Sequence, residues 1–257
     1  MQSTAALVLA VTGRIDYSTF LFANVGDDSE NPNTLAYVNE VAIPYADDNG
    51  LEIVSLHRNT SIYRHVLSDR RSVVIPIRSI QGGFGRRGCT DYWKRKIISG
   101  WQMRHGATKL KPHTLGIGIS FDEIGRMRSS SGVQHQLLTY PLVDNRLTRQ
   151  DCVKIIESAH LPVPPKSSCW FCPFKSRREW IEMRRNSPEL FESAVVFEEQ
   201  INEKRAVLGY MEPVFLHGEG LSLDVSIPED ESYYIEPYAH EPYINSEEVC
   251  ESGYCFL

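Results

Sequence analysis

The residues most able to do chemistry are Cys169-Trp170-Phe171-Cys172-Pro173-Phe174, read with Cys89-Thr90, which lies eighty residues upstream. Two cysteines separated by two residues can present both sulfurs to one metal ion or cluster, and a third thiolate from a distant segment makes a real site of a local turn. Cys89, Cys169 and Cys172 supply three ligands. The fourth would come from Cys250 or Cys255 near the end of the chain, unless a cluster keeps an open iron. Two other readings compete: a redox-active Cys169/Cys172 dithiol, and apolar packing around Trp170 and Phe171. The dithiol is the weaker for Pro173-Phe174, which stands where a thioredoxin-like helix would start. Cys152 falls inside a helical pattern and reads as core.

A second set of residues suits phosphate. Arg87 follows a glycine-rich stretch and Lys94 lies in the next helix, so both either hold phosphate or sulfate oxygens, Arg with two parallel hydrogen bonds, or simply face solvent. Ser3 and Thr4 sit where a helix begins, and free N–H groups with added hydroxyls favour an anion there. Asp122 and Glu123 follow a strand directly. They either hold Mg²⁺ that bridges phosphates or pair with Arg126. His57 and His65 read as structural histidines.

These residues need elements to position them. Ser3 to Thr12 reads as an apolar helix stopped by Gly13. Ser18 to Val25 and Glu52 to Leu56 read as strands, with a helix over Asn33–Asn49 between them that Pro44 must kink or split. Arg71–Gly88 holds Pro76 and four glycines and reads as a long loop. A basic helix over Asp91–His105 follows, then strands Thr114–Ser120 and Gln136–Leu142, and a helix from Thr148 to His160 with Thr148 as N-cap. A Pro-rich linker, 161–168, leads to helices Arg177–Asn186 and Pro188–Gly209. The last forty residues carry no periodicity.

Strands alternating with helices predict an α/β fold with a parallel sheet covered on both faces. Ligands of such sheets bind outside the carboxyl ends of the strands. Asn24-Val25-Gly26-Asp27, His57-Arg58 and Ser120-Phe121-Asp122-Glu123 all fall at such ends.

Four segments together resemble the phosphoadenosine-phosphosulfate reductase-like branch of the adenine nucleotide α-hydrolase superfamily, also called PP-loop ATP pyrophosphatases. Gln2-Ser3-Thr4-Ala5 looks like the end of the family's Ser-Gly-Gly-x-x-Ser loop. Phe22-Ala23-Asn24-Val25-Gly26 looks like its second-strand motif, where Asp is commoner than Asn. Arg87-Gly88-Cys89-Thr90, with Trp93-Lys94 behind it, looks like its Arg-x-Cys-Thr element. Gly116-Ile117-Gly118-Ile119-Ser120-Phe121-Asp122-Glu123, with Arg126, looks like its strand-four motif.

The resemblance covers roughly residues 1 to 210 and implies a Rossmann-like parallel sheet of HUP type. It implies a nucleotide-binding domain over 1–160, a Cys-x-x-Cys-Pro helical segment over 161–211 and an acidic irregular tail over 212–257. It further implies Ser3, Thr4, Asn24, Gly26, Ser120 and Glu123 at an ATP or adenylyl-sulfate nucleotide with Mg²⁺. Asp122, Arg87 and Lys94 would be catalytic, and Cys89, Cys169, Cys172, Cys250 and Cys255 would hold a [4Fe-4S] cluster or, alternatively, Zn²⁺.

The activity implied is cleavage or transfer at the α-phosphate, coupled to sulfur transfer or nucleic-acid modification, with a nucleic acid or sulfur carrier as acceptor. A phosphoadenylyl-sulfate reductase proper is an alternative, but such an enzyme carries Glu-Cys-Gly-(Ile/Leu)-His near its end. This chain has Cys250-Glu251-Ser252-Gly253-Tyr254-Cys255 instead. From another class, a non-catalytic, zinc-stabilised nucleotide- or nucleic-acid-binding module is the remaining alternative. The family's glycines and preceding central strand are missing before Ser3, so the reading frame is expected to continue upstream for one strand and a glycine-rich loop.

Composition sets bounds on these readings. The 257 residues include six cysteines, too sparse for a disulfide scaffold and consistent with a cytoplasmic protein. No apolar run spans a membrane. The net charge of −6 hides an asymmetry: from Glu212 onward there are 11 acids and no Lys or Arg, whereas the first 211 residues hold 27 basic against 22 acidic residues, net +5. Gln81–Lys111 carries eight Lys or Arg against Asp91 alone, a basic stretch for phosphates or a solvated face. The overall acidity argues against a dedicated nucleic-acid binder. Nothing in the sequence sets the oligomeric state.

Overall fold

The structure is a computed structural model that describes residues 1–229. These residues form two units, each discontinuous in the chain. The first comprises 1–61 and 90–168; the second comprises 62–89 and the described residues from 169 onward. The sequence places a boundary near residue 160; the observed boundary is at 168, and the long loop 71–88 groups with the cysteine segment rather than with its sequence neighbours.

The first unit is built from regular elements. Helix α1 (Gln2–Val11) is apolar on every side and buried from Thr4 to Leu9, so it needs neighbours all round. Ala5, Ala6 and Leu9 pack with Leu142, Cys152 and Ile156. The helix stops at Gly13, whose φ of +67° is costly for other residues. Strand β1 (Thr19–Ala23) pairs in parallel with β2 (Glu52–Leu56), Thr19 opposite Glu52 and Ala23 opposite Leu56. Between them lie α2 (Pro32–Tyr37), a π-helical turn (Val38–Ala42) and α3 (Ile43–Asp48). The wide turn ahead of Pro44 carries the helix past a residue that lacks an N–H donor, where a kink or break is expected.

Strand β3 (His113–Gly116) pairs in parallel with β4 (Gln136–Thr139). Both are shorter than the sequence predicts. Pro141 has no donor for a ladder and instead opens a short helix, α6 (Pro141–Asp144). Gly116 leaves room for the Tyr17 ring, 2.9 Å from where a Cβ would stand, and Tyr17 shares a 2.6 Å hydrogen bond with Thr139. The pairing is parallel throughout, as alternating strands and helices predict. Among the described residues the strands form two separate two-stranded sheets. Ala23, Leu56, Leu115, Ile117 and Ile119, from or beside the strands, share one core cluster with Ile98 of the basic helix, Tyr140 and Val143. That helix is a π-helical turn, Asp91–Arg95, continued by α5 (Lys96–Arg104). Helix α7 (Arg149–Ser158) starts with the expected cap: the Thr148 and Asp151 side chains each bond the other's backbone N–H.

The second unit has no strand among its described residues. It contains α4 (Ile62–Leu67), the long loop, the cysteine turn, α8 (Arg177–Asn186), α9 (Pro188–Val207) and the short α10 (Leu223–Ser226). Its core is aromatic. Tyr63, Trp170, Phe171 and Phe197 meet with ring centroids 4.5 to 6.4 Å apart, and Trp180 packs edge-on to Phe191. The packing role read for Trp170 and Phe171 is therefore realised. No helix among the described residues is long and apolar enough to cross a membrane.

Candidate functional site

In the first unit the start of α1 lies against the end of β3. Gln2 donates to Ser120 Oγ at 3.2 Å and to Glu123. Ser120 donates to Glu123 at 3.0 Å, and Arg149 reaches the same carboxylate at 3.1 Å. Arg126 pairs with it as well. Glu123 is buried, so two guanidiniums and two neutral donors compensate a carboxylate that would otherwise be very costly to bury. Its oxygens are thus engaged within the protein, the ion-pair alternative that the sequence left open against Mg²⁺. Asp122 is exposed and accepts from the Arg149 backbone N–H at 3.2 Å.

Ser3 projects from the first turn of α1. A Cβ on Gly118 would stand 3.4 Å from its Oγ and 3.6 Å from its backbone nitrogen. No side chain caps this helix, and no acidic residue lies in its first turn. The first turn of α1 thus stands, without a side-chain cap, beside the segment that follows β3. Thr4 turns the other way, into the interior, where it hydrogen-bonds the Tyr37 phenol. Asn24 organises a tight turn: its Oδ1 accepts from the Gly26 N–H and its Nδ2 donates to Asp27, both at 2.8 Å. Gly26 has φ +117°, and a Cβ there would stand 2.2 Å from the Ser61 Cβ. Lys94 is half-buried in the π-helical turn of this unit.

The remaining candidates belong to the second unit. Cys172 N–H donates to Cys169 C=O at 3.1 Å, which closes the Cys-x-x-Cys segment into one turn. The Cys89 N–H is held by Val74 C=O at 2.9 Å. Cys89, Cys152, Cys169 and Cys172 are thiols rather than disulfide halves. Among the described residues no three His, Cys, Asp or Glu side chains gather as a metal-ligating group. Cys250 and Cys255 lie outside the described residues. Cys152, in the first unit, is buried, and burial pushes its thiol up to about 12, so it stays protonated and unreactive.

Arg87 lays its guanidinium on the Phe174 ring, 4.8 Å from the centroid. Phe174 stacks near Phe84 at 4.6 Å, and Arg78 covers Phe84 at 3.4 Å. Two cation–π contacts joined through one ring pair thus order the loop that the sequence shows only as glycine-rich. Nothing in the sequence marks Arg78 and Phe84 as site residues. His217 is missed as well, although its glycine-flanked setting, His217-Gly218-Glu219-Gly220, was a signal inside a stretch read as irregular.

Comparison with known protein families, with curated proteins and with solved structures yields no match to this chain.

Proposed function

We propose that the chain is a nucleotide-dependent enzyme of the phosphoadenosine-phosphosulfate reductase-like kind, with a Rossmann-like first unit. It takes ATP or a sulfonucleotide at the carboxyl ends of the first unit's strands and acts at the α-phosphate. The observation that carries this reading is the uncapped start of buried α1 beside Gly118. The first turn of α1 and the Ser3 hydroxyl stand there beside a glycine, the residue types that suit a phosphate group at a helix start. The Gln2–Ser120–Glu123 hydrogen bonds support it by fixing that helix start to the end of β3. The Cys169–Cys172 turn is the proposed place of sulfur chemistry, and a nucleic acid or sulfur carrier the proposed acceptor.

Calorimetric titration of ATP and AMP into the 257-residue protein tests the nucleotide reading. ATP binds to the wild type, and Gly118→Val weakens it about tenfold or more by filling the approach, with an unchanged circular-dichroism spectrum. No binding, or equal binding by the variant, overturns the reading. A [4Fe-4S] or zinc centre on Cys89, Cys169 and Cys172 is tested separately by elemental analysis after anaerobic purification. Metal lost in Cys169→Ala and Cys172→Ala but kept in Cys152→Ala supports it. Metal-free protein removes the centre and leaves the nucleotide reading to calorimetry.

A further inference from the structure

The loop 71–89 and the segment 214–220 meet backbone to backbone. Arg78 and Phe215 exchange both of their backbone hydrogen bonds, at 2.8 and 2.9 Å. Gly82 has φ +78°, and a Cβ there would stand 2.9 Å from the Gly218 carbonyl oxygen. On Gly220, at φ +71°, it would stand 2.4 Å from that of Ile80. Only glycine permits such an approach in that conformation. The result is a corner of closely approached backbone that carries Arg78 on one segment and His217 on the other.

Arg78 is fixed on three sides. Its guanidinium lies 3.4 Å over the Phe84 ring, and Nη1 donates to Gly82 C=O at 3.1 Å. A Cβ on Gly218 would stand 3.5 Å from its central carbon. Its buried Nε has no hydrogen-bond partner among the described residues, and neither does Nδ1 of His217, whose residue is 9% exposed. Glu219, the acid that acts on His217 among the described residues, is already paired with Arg177. A partly desolvated cation and a buried imidazole therefore stand on the two segments of this corner, near enough for Arg78 to act on His217, each with a polar atom left unpartnered, an arrangement that is costly unless an anion completes it.

We propose that the Arg78–His217 corner is a subsite for a tetrahedral oxyanion, the phosphate or sulfate group of a ligand. Arg78 would donate from Nε and His217 from Nδ1, with Arg177 nearby adding positive charge. Such charge-assisted bonds to a planar guanidinium suit phosphate and sulfate oxygens. Burial pushes His217 below the usual histidine range; Glu219 opposes this, and Arg177 and Arg78 add to it. Burial also lowers Arg78, with Cys172 opposing. An oxyanion would raise both. The rival partner for Arg78 is the Cys172 sulfur. The subsite stands apart from the nucleotide reading, because its residues and its probes are different.

The test follows the His217 ring by NMR, assigned with His217→Gln, while inorganic sulfate, inorganic phosphate or a single-stranded oligonucleotide is titrated at constant ionic strength. Sulfate and phosphate are expected to shift the His217 signals saturably and to raise its pKa. Chloride should do neither. Arg78→Gln should weaken the effect about tenfold or more, whereas Lys154→Gln, exposed in the first unit, should match wild type. Should Arg78→Gln fail to fold, the melting-temperature rise with sulfate in wild type against His217→Gln serves instead. Tighter binding of the oligonucleotide than of phosphate, again dependent on Arg78, identifies a nucleic-acid phosphodiester as the source; equal or weaker binding identifies a small anion. The proposal fails if no probe gives a saturable shift, or if the shift survives in Arg78→Gln. It also fails if Cys172 alkylates rapidly at neutral pH, slows in Arg78→Gln, and ignores sulfate.

Discussion

In the first unit the polar side chains with chemical potential hang from regular elements. Ser3 is on α1, Ser120 follows β3 and Asn24 follows β1, and the elements themselves are held by apolar clusters. In the second unit comparable side chains hang from loops, and polar bonds from helices hold those loops. Glu198 of α9 is buried and accepts from the backbone N–H groups of Leu216 and, at 2.8 Å, of Leu223. Asn202, one turn on, donates to Val214 C=O and accepts from its N–H, both at 2.8 Å. The first unit thus positions its site through packing. The second positions its site through a few specific hydrogen bonds and cation–π contacts, each of which a single substitution can remove.

The largest expected effect tests how far the second unit relies on its few aromatics. Phe171→Ala should cost about 3–5 kcal/mol, because the ring is fully buried among Tyr63, Trp170 and Phe197. Urea unfolding followed by tryptophan fluorescence measures it, and a loss below about 1 kcal/mol would remove the aromatic core as the basis of the contrast. Next come two glycines, one in each unit. Gly26→Ala and Gly220→Ala should each cost about 1–3 kcal/mol from backbone strain alone, with a steric clash added. Near-wild-type melting of either variant would show that its turn relaxes.

The third prediction concerns pH. Burial raises the Glu198 carboxyl from 4.5 to about 7, against the two backbone N–H groups that favour its charge, with Asp224 and Glu199 adding to the rise. A raised folded-state pKa means that the folded protein holds the proton more tightly than the unfolded chain does. This contribution to stability is therefore greatest below about pH 4.5 and is lost as pH rises through about 7. Glu198→Gln keeps an acceptor but cannot ionise, so stability against pH should be flatter across that window in the variant. Parallel curves would mean that Glu198 is charged at no cost, with its backbone bonds outweighing burial. The smallest effect compares like with like. Thr148→Ala in the first unit and Ser176→Ala in the second each remove a capping box and should each cost about 1 kcal/mol. A clear inequality would show that one unit depends more on its helix starts.

Much of this organisation was legible in local residue patterns. The helix over α1 with its Gly13 stop, β1, β2, the Thr148 cap and the span of α8 follow from periodicity, glycine and capping chemistry, all local. The Pro44 helix and the ends of β3 and β4 did not, because a π-helical turn and a Pro141 helix start depend on how neighbouring segments pack. Ser3, Ser120 and Glu123 were legible as candidates. The pair of Glu123 with Arg126 was legible as an alternative; that Arg149 joins it, and that Thr4 faces Tyr37, were not, since Arg149 and Tyr37 are distant in sequence.

The sequence by itself determined most of the longer helices, the parallel sense of strand pairing, and which residue types with phosphate or sulfur chemistry the chain carries. Those properties arise from short-range sterics, hydrogen bonding and apolar spacing. Only the tertiary structure decided that 62–89 joins 169–229, that Arg78 pairs with Phe215 beside His217, and that Glu198 holds the loop that carries both. These pairings join residues far apart in sequence. They are selected by the packing of aromatic rings and glycine backbones, and no local pattern encodes them.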